Sequence, residues 1–343
     1  MTQPVTGARG SWQWGVCGAS VIGSEHERRG LGCDDAYCFG VTRDFVVAAV
    51  ADGAGSVTGT SAWGAYTACQ SVLANAMRTR FIDEFRRSTA EEAEQMLRAL
   101  FEKATDHVHA QAQFFGLESA KLATTLCVAL ADRDHAAFGQ IGDGVIATQT
   151  EERIETLLIE DKDDYQNATW FLQSEGAFEE SFRTVVRPAV TAFALSTDGM
   201  TYKITNVASG EPYQPFFRGS WERVRAGANS ANFASLLRSI EDDQTGDDKT
   251  MVLATLRWED DDYYPSPAPI TKMTASSPTP PTLHTNVPAA QTVPTEPAPP
   301  TPEAAAPTPD SAPPPGDAAP IEPDTTPIDR PTGRPRLFRR SER

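Results

Sequence analysis

The order of apolar runs along the chain predicts an α+β sandwich. Three observations support it: strands arrive in meanders, helices arrive in pairs between them, and no regular strand–helix alternation links the two. A first strand is expected over residues 12–22, where apolar and polar positions alternate, and two more over residues 36–41 and 45–51 at hairpin-like separations. The third of these, FVVAAVA, carries no charge, so it can cross a core with both faces buried and deliver Asp52 to the rim, where Gly53 and Gly55 bend the chain. Beyond the glycines, Ala, Leu and Met recur at helical spacing over residues 61–85. The pattern repeats over residues 89–115, where a Ser-Thr start and Glu91 and Glu92 in the first turn mark a helix beginning. Strands return over residues 123–131, 135–141 and 145–150, joined by the short turns DRDH and GDG. The last two are expected over residues 189–196 and 250–258, with helices between them, one over residues 231–240.

Composition divides the chain. Of 26 prolines, 22 lie between Pro265 and Pro335, and large apolar residues nearly vanish there. Such a segment cannot bury enough apolar surface to offset its ordering entropy. Residues 1–260 are therefore expected to form one domain, and residues 261–343 a Pro/Ala/Thr-rich disordered tail with a basic C-terminus. The formal charge of −17 splits into 23 Lys/Arg against 37 Asp/Glu up to residue 260 and 7 against 10 beyond it, so the domain holds −14. So acidic a surface argues against nucleic acid or an anionic membrane as its partner. The 5 cysteines are odd in number, scattered and without a CxxC pair, which suits reduced, buried thiols. With no stretch fit for a signal peptide and no run of about 18 apolar residues, a cytoplasmic location is expected, and the protein is expected to be a monomer.

Chemistry enters where the strands end. Acidic sites recur at Asp34-Asp35 before AYCFGV, Asp52 after FVVAAVA, Asp143 between two strands, Asp198 after AFALST, and Asp247-Asp248 before KTMVLATL. A single Asp-Gly is an ordinary hairpin turn. Gathered together, such carboxylates would repel and raise one another's pKa, whereas around divalent cations they supply the oxygen ligands that Mg2+ or Mn2+ prefers. Two rival motifs fail. Gly53, Gly55 and Gly59 give GxGxxxG, one residue too long for a dinucleotide turn, and the calcium-loop-like run from Glu241 carries Val252 where a bidentate Glu is required.

In this order the motifs resemble those of the metal-dependent protein phosphatase 2C family, in the bacterial branch whose first motif reads as a His, a Gly and then Cys-Gln-Asp-Ala. Here it stands as His26, Gly30 and Cys33-Asp34-Asp35-Ala36, followed by VADGAG from Val50, ATT from Ala123, QIGDG from Gln140, LSTDGM from Leu195 and DDKT from Asp247. The resemblance spans residues 12–258 and leaves the tail outside. It implies a four-layer α/β/β/α sandwich of two central, mainly antiparallel β-sheets flanked by helices, with a two-metal site at one edge. Carried over by position, Asp52 bridges two Mg2+ or Mn2+ ions, the Gly53 carbonyl binds one, Asp198 and Asp247 bind the other, and Asp143 matches the ligand of a third. Asp34 takes the place of a residue that contacts metal-bound water, and Asp35 that of a support behind the ligands. The implied activity is hydrolysis of phosphoserine or phosphothreonine by a water activated between two cations. The implied partners are a phosphoprotein substrate and a serine/threonine kinase or its targets.

This chain departs from the family pattern at two places. Many relatives carry an Arg five residues before the Asp that matches Asp35, and that position is Gly30 here, leaving Arg28 or Arg29 to hold a substrate phosphate through a bidentate guanidinium. The eukaryotic-type Asp-Gly-His is Asp52-Gly53-Ala54, leaving His26 as the candidate leaving-group acid or phosphate contact, with a surface-loop histidine as the alternative. These departures keep open a catalytically weak, phosphatase-like binding or regulatory module in a kinase signalling complex. An acidic interaction protein whose tail is the working part is the third reading.

Overall fold

The computed structural model describes residues 10–54, 59–151, 153–159, 169–241 and 244–260. Gly55 and the Pro-rich tail lie outside the described residues. The strands are β1 (Gly10–Val21), β2 (Ala36–Thr42), β3 (Phe45–Ala51), β4 (Leu126–Ala131), β5 (His135–Ile141), β6 (Val145–Gln149), β7 (Ile154–Leu157), β8 (Arg183–Pro188), β9 (Ala192–Ser196) and β10 (Lys249–Asp260). They form two five-stranded sheets, ordered β1-β10-β9-β6-β7 and β2-β3-β4-β5-β8, in which every pairing is antiparallel.

Alternation along the inner strands explains why they carry no charge. In β3, Val47, Ala49 and Ala51 pack with the helices α2 (Ser61–Ala76) and α4 (Ala90–Phe115), while Val46, Ala48 and Val50 meet the other sheet. In β10, Val252, Ala254 and Leu256 face the sheet interface, and Met251 and Leu253 pack on α5 (Gln214–Arg225) and α6 (Ser230–Ser239). A strand buried on both faces reads as one continuous apolar run. The result is the expected four layers, with three apolar seams between them.

The long helix α4 follows its sequence closely. Thr89 accepts from the Glu92 backbone and Glu92 reaches back to Thr89, a capping box, and Gly116 at φ 67° closes the other end. Its buried residues, Ala93, Leu97, Leu100, Phe101, Ala104, Val108 and Ala112, keep the helical spacing.

Several boundaries differ from expectation. Residues 61–85 are two helices, α2 and α3 (Thr79–Phe85), because the chain turns extended at Arg78, ψ 132°, with no Gly or Pro to announce it. The strand expected from residue 123 begins at Leu126, since Thr124 forms an isolated bridge with Gly53 instead. The strand expected from residue 189 begins at Ala192, after Ala189 has adopted φ 53°. The short helix α1 (Ser24–Arg29) and the strands β7 and β8 were not expected. Five of the six residues of β8 are half-buried, so it shows neither a continuous apolar run nor a clean alternation.

Candidate metal centre

Asp52 leaves the end of β3, Asp198 follows β9, and Asp247 precedes β10. β9 and β10 are neighbours, with Met251 opposite Ser196, so Asp198 and Asp247 emerge side by side at one edge of their sheet. Asp52 arrives from the other sheet. One oxygen from each of the three carboxylates lies within 4.8 Å of the other two.

Small residues make this convergence possible. A Cβ on Gly199 would lie 1.9 Å from the Asp248 carbonyl oxygen, and one on Gly53 would lie 2.7 Å from the Asp34 carbonyl oxygen. Any larger side chain would force the strand ends apart.

Behind the three carboxylates stands a ring of supporting contacts. Asp248 is buried and accepts from the Gly23 backbone at 2.6 Å and the Asp34 backbone at 2.6 Å, while its Oδ2 lies 3.0 Å from His26 Nδ1. The Asp248 backbone N–H donates in turn to Asp247 Oδ1 at 2.8 Å, which fixes that carboxylate. Thr124 donates its hydroxyl to the Asp52 carbonyl at 3.0 Å, and the Asp52 backbone N–H donates to the Thr125 hydroxyl at 3.0 Å. Ser61 donates to Asp34 at 2.7 Å, and Thr197 donates to Asp35 at 2.8 Å.

The electrostatics of the cluster are those of crowded acids. Loss of hydration pushes the Asp52 carboxyl well above its usual range, and Asp35, Asp198 and Asp247 push it further. Burial also raises Asp35, with Asp248 adding to the effect and the Thr197 hydroxyl opposing it. Hard oxygen donors that destabilise one another when ionised suit a small divalent cation, whose charge removes the repulsion. The residues therefore fit Mg2+ or Mn2+.

The other expected site residues take different places. Asp143 is not one of the three clustered acids, but it lines a cavity with Asp198 and accepts from the Thr169 hydroxyl at 2.8 Å. Asp34 and Asp35 are buried behind the cluster. His26 is buried against Asp248 and is no surface-loop histidine. Arg28 pairs with Glu25 at 2.7 Å within α1, its side chain 72% exposed, and Arg29 is exposed as well. The structure adds Asp248, Thr125, Thr197 and Ser61 to the residues that matter. A hydroxyl residue directly before Asp198, and a second Asp directly after Asp247, are the traces of them visible in the sequence.

A family model described as protein phosphatase 2C matches residues 22–238. No curated protein matches the chain. Among solved structures, the chain is similar to the catalytic domain of the serine threonine protein phosphatase PstP in complex with 2 manganese ions, at 15% identity and TM-score 0.45, over 72% of this chain and 99% of that one. It is also similar to a serine-threonine phosphatase 2C from Toxoplasma gondii, at 12% identity and TM-score 0.49, over 71% and 95% of the two chains. A bacterial serine phosphatase matches at 13% identity and TM-score 0.49, over 71% and 97%.

Proposed function

As the chain belongs to the protein phosphatase 2C family, we propose that it is a metal-dependent phosphatase of phosphoserine and phosphothreonine in proteins. The observation that carries this reading is the meeting of Asp52, Asp198 and Asp247 from two sheets within 4.8 Å. In this reading Asp52, Asp198 and Asp247, with the Gly53 carbonyl, would hold two Mg2+ or Mn2+ ions, and Asp143 would serve a third. The ions, when bound, supply a water acidic enough to act near neutral pH and offset charge on the phosphoryl oxygens. Water oxygen forms the new bond to phosphorus, the serine or threonine oxygen leaves and takes a proton, and inorganic phosphate is released.

The chain's own residues do the positioning. Asp34 orients the water and Asp35 steadies the edge of the site through Thr197. His26, held against Asp248, is a positioning residue for Asp247 in this reading, where the sequence alone suggested a leaving-group acid or phosphate contact, or a surface-loop histidine. Of the two arginines proposed for the substrate phosphate, Arg29 is the one retained here, since Arg28 is engaged by Glu25. Residues 1–260 form the catalytic domain and residues 261–343 tether or recruit. No helix among the described residues is long and apolar enough to cross a membrane, and we place the protein in the cytoplasm as a monomer acting on targets of a serine/threonine kinase. Phosphate release from a phosphothreonine peptide should require Mn2+ or Mg2+, stop with EDTA, and vanish in Asp52→Ala and Asp198→Ala. Undiminished release in either variant refutes the assignment, and peptide binding without release transfers it to a regulatory binding module.

A further inference from the structure

Beside the candidate metal centre lies a cavity of about 840 Å³ whose floor includes Asp143 and Asp198. Its lining also includes Tyr202, Val207 and Ile159, exposed by 54%, 53% and 40%. They are three of the eight large apolar or aromatic side chains exposed among the described residues. Exposed apolar side chains gathered on the rim of one concave site mark a place where a ligand covers them.

The wall is built rigidly. The turn that bears Val207 is closed by Asn206, whose side chain accepts from the backbones of Ala208 at 3.0 Å and Ser209 at 3.3 Å, and whose carbonyl accepts from Gly210 at 2.7 Å. An isolated bridge between Thr205 and Pro212 clamps its base. The Thr156 hydroxyl donates to the Gly210 carbonyl and ties the turn to β7. Ile159 packs against Gly210, where a Cβ would meet it at 3.4 Å. The backbone that bears Val207 is thus held in place before any ligand arrives, which lowers the ordering cost of binding.

Among the described residues, the charged side chains lining the cavity are both acidic, Asp143 and Asp198. Both are assigned to metal in the reading above, so the wall itself offers no charged side chain to a substrate, and an apolar neighbour would cover Tyr202, Val207 and Ile159. We propose that this wall is a specificity subsite, and that the preferred substrates are phosphopeptides with an aliphatic or aromatic residue beside the phosphorylated serine or threonine. The inference rests on the phosphatase reading above and adds the substrate class to it.

The test compares three substrates in Mn2+ by released phosphate: a phosphothreonine peptide with Leu or Phe on both sides, the same peptide with Glu there, and N-acetyl-phosphothreonine methylamide, which has no neighbouring side chain. The apolar peptide should exceed the Glu peptide in kcat/KM by about tenfold or more, the span one apolar group in a pocket commands. Val207→Asp, at an exposed position, should reduce kcat/KM for the apolar peptide about tenfold, chiefly through KM, and Tyr202→Ala should shift it the same way. Both should leave the rate on the methylamide and the melting temperature unchanged. Turnover of the methylamide with equal kcat/KM for the two peptides, or a preference untouched by Val207→Asp and Tyr202→Ala, overturns the subsite alone. Absence of metal-dependent turnover of every substrate overturns the phosphatase reading and the subsite with it.

Discussion

Asp52 sits among acids that make its ionisation costly, and that cost is stored in the fold whenever no cation is bound. Its folded pKa lies above the unfolded value of about 3.9, so the folded state binds more protons. Stability from this group is full below that unfolded value and is lost as pH rises through the raised folded one. Without metal, the melting temperature should therefore fall with rising pH, and fall less in Asp52→Asn, which should melt higher than the parent near pH 7. Mn2+ at a hundredfold excess over its Kd should stabilise the parent by roughly 2.7 kcal/mol and leave Asp52→Asn nearly unmoved. Thermal scans across pH with EDTA or Mn2+ check both; an apo parent whose stability rises toward neutral pH contradicts the crowding. The three carboxylates were legible in the sequence because each adjoins an apolar strand, where its type and position show together. Of their supports, Asp34 and Asp35 were named through the family resemblance, but the contact between His26 and Asp248 was not. His26 and Asp248 are 222 residues apart, and no local pattern reports a contact of that span.

Helices and strands were legible where a single period governs a whole stretch. In α4 the cap, the apolar spacing and the terminal glycine agree, and replacing Thr89 by Ala should cost about 1 kcal/mol by orphaning the cap. Chemical denaturation would show this as a lower midpoint at an unchanged slope, and an unaltered midpoint would mean that the box adds nothing. Where two demands compete, the pattern blurs. The break between α2 and α3 is set by packing, since Ile82 and Phe85 turn into the same seam that Val72 and Ala76 occupy. At β8, Arg183 and Arg187 interrupt the apolar residues of an edge strand, so the run is too short to read.

Across the whole molecule, the pairing of β1 with β10 runs unbroken for twelve positions, from Gly10 opposite Asp260 to Val21 opposite Lys249. β10 is interior to its sheet, between β1 and β9, so it cannot be removed without exposing both neighbours. A chain ended at residue 260 should retain the melting transition of the full protein, while one ended at residue 248 should show no cooperative transition by circular dichroism. Equal transitions would mean that the sandwich closes without its last strand. The register also sets a schedule. A ribosome releases β1 first and its partner last, with Asp247 just ahead of that partner, so about 240 residues are synthesised before the first strand can be matched. Until then the candidate metal centre lacks one of its three carboxylates, whatever the Mn2+ concentration. Closing the sheet and completing the three-carboxylate cluster are one late event.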